Sequence, residues 1–120
     1  MEQDKHSDEE IKEILTMKNV AVIGMSRHSE KAAHFVPKYL HEQGFNITPV
    51  NPTADEIDII DVFRPSNQVL PIIKDAIKKN PKVIWLQEGI HNQEAEELAR
   101  TAGIDVVFNR CMLAEHQRLM

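Results

Sequence analysis

The sequence predicts an α/β protein: a three-layer α/β/α domain with a parallel sheet of about five strands. Short apolar runs rich in β-branched residues alternate with segments of helical periodicity along the chain. The chain has 120 residues, the length of one domain, and neither an internal repeat nor a linker interrupts it. We therefore expect a single domain over residues 1–120, with a frayed tail over residues 1–6.

The first helix and the first strand have clear local signals. Residues 7–17, SDEEIKEILTM, carry an apolar stripe, and Ser7 and Glu10 have the spacing of a capping box. Residues 19–24, NVAVIG, form a continuous apolar run, which is typical of a strand buried on both faces. These signals predict a helix followed by a central strand.

The next helix is predicted over residues 30–44, EKAAHFVPKYLHEQG. Gly44 is suited to end it and Pro37 predicts a kink, while Ser29 is equally a candidate N-cap and a candidate ligand contact. The alternation then continues to the end of the chain. We expect strands over 46–50, 58–63, 82–86 and 104–108, and helices over 66–80 (capped by Ser66), 92–103 (opened by Asn92 and closed by Gly103) and 111–120 (capped by Asn109).

One connection does not fit this alternation. Only seven residues, NPTADEI, lie between Val50 and Asp58. A crossover between parallel strands normally takes a dozen or more residues. Either the connection is a bare extended strap, or the strand order differs, or a segment is absent from the sequence.

The loop after the first strand, GMSRHSEK, is the candidate ligand site. In open parallel sheets, ligands bind beyond the carboxyl ends of the strands, and a helix N-terminus there attracts anions. A dinucleotide fingerprint would be G-x-G-x-x-G, but the matching positions are Gly24, Ser26 and Ser29. In addition, Asn51 stands where an NAD site carries an acid for the ribose. The loop therefore predicts a nucleotide site that is not built for NAD, although such a junction also occurs in sheets that bind nothing there.

Composition narrows the function classes. The formal net charge of −5 and the scattered basic residues argue against nucleic acid as a partner. No apolar run is long enough to cross a membrane, and the first ten residues are unlike a signal peptide. A single cysteine, Cys111, suits a reducing compartment. We therefore expect a cytoplasmic protein.

Several short segments, in order along the chain, carry a resemblance to a known family. They are VAVIGMS (20–26), PVNP (49–52), DVFRP (61–65), WLQEGIHNQEAEELARTAGIDVV (85–107) and NRCMLAEHQRL (109–119). Together they resemble the small bacterial and archaeal CoA-binding proteins, over roughly residues 8 to 119. Those proteins are Rossmann-like domains similar to the CoA-binding domain of succinyl-CoA ligase.

The resemblance implies non-catalytic binding of coenzyme A or acyl-CoA. The residues implied as contacts lie in three segments: Gly24, Met25 and Ser26, then Asn51 and Pro52, then Arg64 and Pro65. Lys31 keeps a cation where family members often have an arginine, whereas Ala33 replaces a frequent serine. Arg27 and Arg64 both follow strand ends on the ligand side, and an arginine can clamp a phosphate with two hydrogen bonds.

The short connection is the largest departure from the family. Its members usually continue after NP with a further stretch of about fifteen residues, which would supply the missing crossover. The resemblance therefore predicts that a segment is missing near residues 55–58 of this sequence.

Two other functions remain open. One is a nicotinamide-dependent oxidoreductase, which lacks the three glycines and the acidic ribose partner. The other is an interaction module that works only with a partner chain. Catalytic and metal-binding residues are not predicted: Cys111 and His116 are five apart on one helix and do not face each other, and the histidines show no metal spacing.

Three further side chains are interpreted structurally. Asp61 lies within an apolar strand and should have a buried hydrogen-bond partner. His91 is a loop residue, and Cys111 is half-buried beside a helix cap. Gln87, Glu88 and Gly89 follow the fourth strand on the ligand side.

Overall fold

The computed structural model describes residues 2–49 and 57–120 and confirms the predicted fold class. Five parallel strands form one sheet in the order β2-β1-β3-β4-β5. The strands are β1 (Asn19–Ile23), β2 (Asn46–Pro49), β3 (Ile59–Val62), β4 (Val83–Leu86) and β5 (Asp105–Val107). Each lies within its predicted segment.

Helices cover both faces of the sheet. They are α1 (Asp8–Ile14), α2 (Ala32–Glu42), α3 (Val69–Ile77), α4 (Gln93–Thr101) and α5 (Met112–Leu119), and a short 3₁₀ turn, Ser66–Gln68, precedes α3. Buried side chains of α1, α2 and α5 share one core with one face of the sheet, while those of α3 and α4 share the other. Over the described residues, no helix combines the length and the apolar composition needed to span a bilayer.

The two cores explain the apolar run of β1. Val20 and Val22 are buried in the core under α1, α2 and α5, whereas Ala21 is buried in the core under α3 and α4. Successive side chains of a strand point to opposite faces, so a strand covered on both sides has no solvent-facing position to fill with a polar residue.

Two predicted helix caps are confirmed. Ser7 and Glu10 form the reciprocal bonds of a capping box, and the Asn92 side chain accepts a hydrogen bond from the Ala95 N–H.

Three predicted caps are wrong. Ser29 is exposed, because the chain first makes a turn from His28 to Lys31 and α2 begins only at Ala32. The Ser66 hydroxyl instead accepts a hydrogen bond from the His91 N–H, at 3.0 Å. Asn109 has a positive φ of 54°, and its side chain accepts from the Gly89 N–H at 2.7 Å. Both of these side chains hold a neighbouring loop rather than a helix end.

The N-terminal segment also differs from the expected frayed tail. Asp4 accepts hydrogen bonds from the Phe108 N–H and from Arg110, at 3.1 and 3.2 Å. The His6 ring lies 2.8 Å from carboxylate oxygens of both Asp4 and Asp105. Hydrogen bonds to Asp105 and Asp4 raise the pKa of His6 to about 10. The tail is therefore held against the edge strand β5 by charged hydrogen bonds.

Candidate functional site

The sheet has a switch point at β1, because β2 lies on one side of β1 and β3 on the other. In doubly wound sheets, the crevice beyond the carboxyl ends of the strands at such a point binds ligands. A cleft of about 450 Å³ lies at this edge. It is lined by residues that follow β1, β3, β4 and β5: Lys31, Ala32, Ala33, Phe35, Phe63, Arg64, Pro65, Gln87, Glu88, Ile90 and Cys111.

Gly24 brings the loop after β1 against the end of β3. It has a positive φ of 91°, and a Cβ atom built on it would lie 2.6 Å from the Phe63 carbonyl oxygen and 3.3 Å from Nε of Arg64. The Phe63 N–H in turn donates to the Ile23 carbonyl at 2.8 Å. Only glycine meets both the conformation and the close approach. This packing places the Arg64 side chain across the start of the loop.

The rest of the loop folds back onto the first turn of α2. The Ser26 N–H donates to the Ala33 carbonyl at 3.1 Å, and the Ser26 carbonyl accepts from Nδ1 of His34 at 2.9 Å. The Ser26 hydroxyl oxygen accepts from the His28 N–H at 3.1 Å. The backbone of Ser26 is thus fixed beside the helix start, while its hydroxyl proton stays available to an acceptor.

The N-terminus of α2 faces the cleft with favourable electrostatics for an anion. Lys31 occupies the N-cap position without a side-chain cap bond, and Ala32 and Ala33, the first two helical residues, line the cleft. The His34 N–H of this turn donates to the Lys31 carbonyl at 2.9 Å, whereas the N–H groups of Ala32 and Ala33 have no acceptor among the described residues, and the helix dipole is positive there. The first turn contains no acidic residue. Lys31 and Arg64 add positive charge, and Glu88 is the acidic residue of the lining.

The structure brings together part of the predicted site. Lys31, Arg64 and Pro65 line the cleft, and Gly24 packs against its edge. The three remaining residues of the predicted loop do not line it: Met25 and Arg27 are exposed, and Ser26 is half-buried. The predicted contacts Asn51 and Pro52 lie outside the described residues, as do residues 55 and 56 of the stretch 55–58, near which a segment is predicted to be missing.

The apolar wall of the cleft was not predicted. This wall consists of Phe35 on α2 and of Phe63 and Ile90 in two loops, which are far apart in the sequence. From the sequence alone, each of these side chains could equally well have belonged to the hydrophobic core. Gln87 and Glu88 were placed on the ligand side by their position after a strand, and both do line the cleft. Cys111 is half-buried, as predicted, and lines it as well.

Asp61 has no hydrogen-bond partner among the described residues, so the prediction of a buried partner is wrong. It lies in the middle of β3, fully buried, opposite Val22 and Trp85 on the neighbouring strands. Burial raises the pKa of this carboxyl well above its ordinary value, because none of the described residues offers its charged form a hydrogen bond. Asp61 therefore favours the neutral acid in the folded protein.

The histidines near the sheet edge have structural partners. His91 lies in a loop, as predicted, where its Nδ1 contacts the buried Glu96 carboxylate at 2.6 Å and its ring stacks on Phe108. Nδ1 of His116 is hydrogen-bonded to the Tyr39 hydroxyl at 2.7 Å. Within residues 2–49 and 57–120, no cluster of three or more His, Cys, Asp or Glu side chains could hold a metal ion.

The fold is a doubly wound α/β domain with a cleft at its switch point. The chain belongs to the CoA binding domain family, whose model matches residues 18–58 and 53–117. Among curated proteins, the uncharacterized protein YneT of Bacillus subtilis is 34% identical over 127 positions, covering 92% of this chain and 94% of that protein.

Solved structures show the same fold. A hypothetical protein from Pyrococcus horikoshii has a TM-score of 0.89 and 38% identity, with 99% of each chain covered. A protein from Thermus thermophilus has a TM-score of 0.86 and 32% identity, covering 96% of this chain and all of that one.

The family match also bears on the short connection between β2 and β3. Its two matched pieces overlap at residues 53–58, next to this connection. The alignment with YneT extends over 127 positions, more than the 120 residues of this chain, so YneT has residues without a counterpart here. The overlap of the two matched pieces agrees with a longer connection in the family. The absence of a segment from this sequence stays a prediction.

Proposed function

We propose that this protein binds coenzyme A or acyl-CoA in the cleft and catalyses no reaction on it. One observation carries the proposal: Lys31, Arg64 and the first two residues of α2 line the same cleft at the sheet's switch point. The family match supports the same ligand class.

The charges of the cleft suit the phosphates of CoA. CoA carries a diphosphate and a 3′-phosphate, so its site needs donors and cations in one place. We propose that the N–H groups at the start of α2 bind the diphosphate, with Lys31 beside them. Arg64 then takes a phosphate through two parallel hydrogen bonds. Because the chain is acidic overall, with a formal net charge of −5, the attraction is local to this cleft.

Other contacts in the proposal rest on the family resemblance. The adenosine end would lie against the segment that contains Asn51 and Pro52. Met25, Ser26 and Arg27 would contact the ligand from the loop after β1. A cytoplasmic location is proposed with this function, since CoA ligands and a single free cysteine both fit a reducing compartment.

Binding of CoA, dephospho-CoA, NAD, NADP and ATP, measured by isothermal titration calorimetry with thermal shift as a second readout, tests the proposal. CoA should bind tightest, and loss of its 3′-phosphate should weaken binding. Tight binding of NAD alone would instead support the oxidoreductase. No binding of any nucleotide would support the interaction module and refute the proposal.

Two lysines of the same helical segment provide a matched pair. Lys31 lines the cleft, whereas Lys38 is exposed on α2 and does not. Lys31→Met should weaken CoA binding roughly tenfold, the value of a charge-assisted hydrogen bond, whereas Lys38→Met should leave it unchanged. Arg64→Met should weaken it at least as much as Lys31→Met. If Lys31→Met and Lys38→Met changed the affinity for CoA equally, the phosphates of CoA would bind outside this cleft.

A further inference from the structure

Residues 2–6, the N-terminal segment, are joined to the loop after β5, residues 108–111. The Asp4 side chain is only 3% exposed. Its carboxylate accepts hydrogen bonds from the Phe108 N–H and from Nε of Arg110, at 3.1 and 3.2 Å. The Arg110 guanidinium also donates to two main-chain carbonyls of the segment, at 2.9 and 3.4 Å. One buried carboxylate therefore binds the first and the third residue of the loop.

The loop after β5 also supports one side of the cleft. Asn109 lies between the two loop residues that Asp4 binds. Its side chain accepts from the Gly89 N–H at 2.7 Å, and its own N–H donates to the Ile90 carbonyl at 3.1 Å. Ile90 lines the cleft, and so does Cys111, the last residue of the loop. Consecutive contacts thus connect the N-terminal segment to the cleft.

The conformation of this loop depends on its contacts. Asn109 has a positive φ of 54°, an angle that a residue other than glycine keeps only where the surrounding structure holds it. The bonds to Asp4 hold the residues on either side of Asn109. Without that carboxylate, the mostly buried Arg110 would keep its ion pair with Glu115, at 3.3 Å, but the Phe108 N–H would lose its acceptor. The loop would then be held less firmly beside the cleft.

We propose that docking of the N-terminal segment and binding of CoA in the cleft are coupled, with Asp4 as a positioning residue. The inference rests on the proposed function and adds an element outside the cleft that sets its affinity. The side of the cleft that the loop supports faces the same space as Lys31 and Arg64, so a ligand held there contacts both. A docked segment favours the bound ligand, and a bound ligand favours the docked segment by the same factor.

The sign of the effect separates positioning from simple electrostatics. CoA is an anion, so removing a carboxylate should by charge alone strengthen its binding. Asp4→Ala should instead weaken CoA binding about fivefold, the lower end of the range for coupled sites. Asp8→Ala is the matched control, because it removes the same charge and breaks a two-bond pair with Arg118, at 2.9 and 3.2 Å, without touching the loop after β5. It should not weaken binding.

Isothermal titration calorimetry measures these affinities at a temperature well below the unfolding midpoints of the variants. Amide hydrogen exchange by NMR measures the reverse effect in the wild-type protein. The Phe108 N–H reports docking directly, because it donates to Asp4. Saturating CoA should slow its exchange by the same factor, about fivefold. Exchange of the Asn80 N–H, which donates to the Ile77 carbonyl in the turn after α3, should stay unchanged.

The exchange measurement needs no variant, so it decides the question even if Asp4→Ala does not fold. Unchanged exchange of the Phe108 N–H at saturating CoA overturns the inference and leaves the proposed function intact. Equal affinities of folded Asp4→Ala and Asp8→Ala for CoA do the same. Failure of the wild-type protein to bind CoA refutes the proposed function itself.

Discussion

Gly24→Ala tests the packing on which the cleft depends. Gly24 and Gly103 have nearly the same backbone angle, with φ of 91° and 83°. An added Cβ would lie 2.6 Å from the Phe63 carbonyl oxygen at Gly24 and would meet nothing within 4 Å at Gly103. The two alanine substitutions therefore share the cost of a positive φ and differ in the steric clash.

The magnitudes follow from this difference. A positive φ costs an alanine about 1–2 kcal/mol, and we expect Gly103→Ala to lose this amount. The contact at Gly24 is too short for a real Cβ, so β3 or the loop must move, which adds about 1–3 kcal/mol. Gly24→Ala should thus lose roughly 2–5 kcal/mol of unfolding free energy.

Urea unfolding followed by the fluorescence of Trp85 measures both variants. The slope of the unfolding free energy with urea should stay unchanged, so that the midpoint reports stability. CoA binding should weaken in Gly24→Ala, because the clash displaces the end of β3 and with it Arg64, and should be unaffected in Gly103→Ala. Equal losses of stability in the two variants would refute the reasoning, since the Phe63 carbonyl would then impose no constraint.

Two predictions concern buried and charged groups. The pKa of Asp61 is raised above its ordinary value of 3.8, so above pH 3.8 the folded state keeps a proton on Asp61 that the unfolded state has lost. The free energy of unfolding should therefore fall by about 1.4 kcal/mol per pH unit until Asp61 ionises in the folded state as well. Asp61→Asn should remove this slope in urea unfolding measured at rising pH from just above 3.8, whereas Asp75→Asn, at an exposed carboxylate, should keep it; an unchanged slope in Asp61→Asn would contradict the assignment. The pKa of His6 is raised to about 10, so its stabilisation is complete below pH 6.5 and is lost as the pH rises towards 10. Asp105→Asn should therefore cost about 1 kcal/mol at pH 6.5 and little at pH 10; the same loss at both pH values would show that the His6 charge is not involved.

The sequence by itself determined the features that depend on neighbours along the chain. The continuous apolar run of β1 identifies a central strand, because a strand buried on both faces has apolar residues at every position. Ser7 and Asn92 were recognised as caps because a cap bonds to a residue two or three positions away. The fold class followed from the alternation of strands and helices.

Only the tertiary structure decided which groups meet across the fold. Ser66 and Asn109 looked like caps but bond to distant loops, and Asp61 was expected to have a buried partner that the described residues do not supply. Lys31 and Arg64 were predicted as contacts of one ligand, and the folded sheet supplies the cleft that both of them line. The orientation of the Gln87 carboxamide depends on Met112, twenty-five residues away, because its oxygen accepts from the main-chain N–H that folding places beside it.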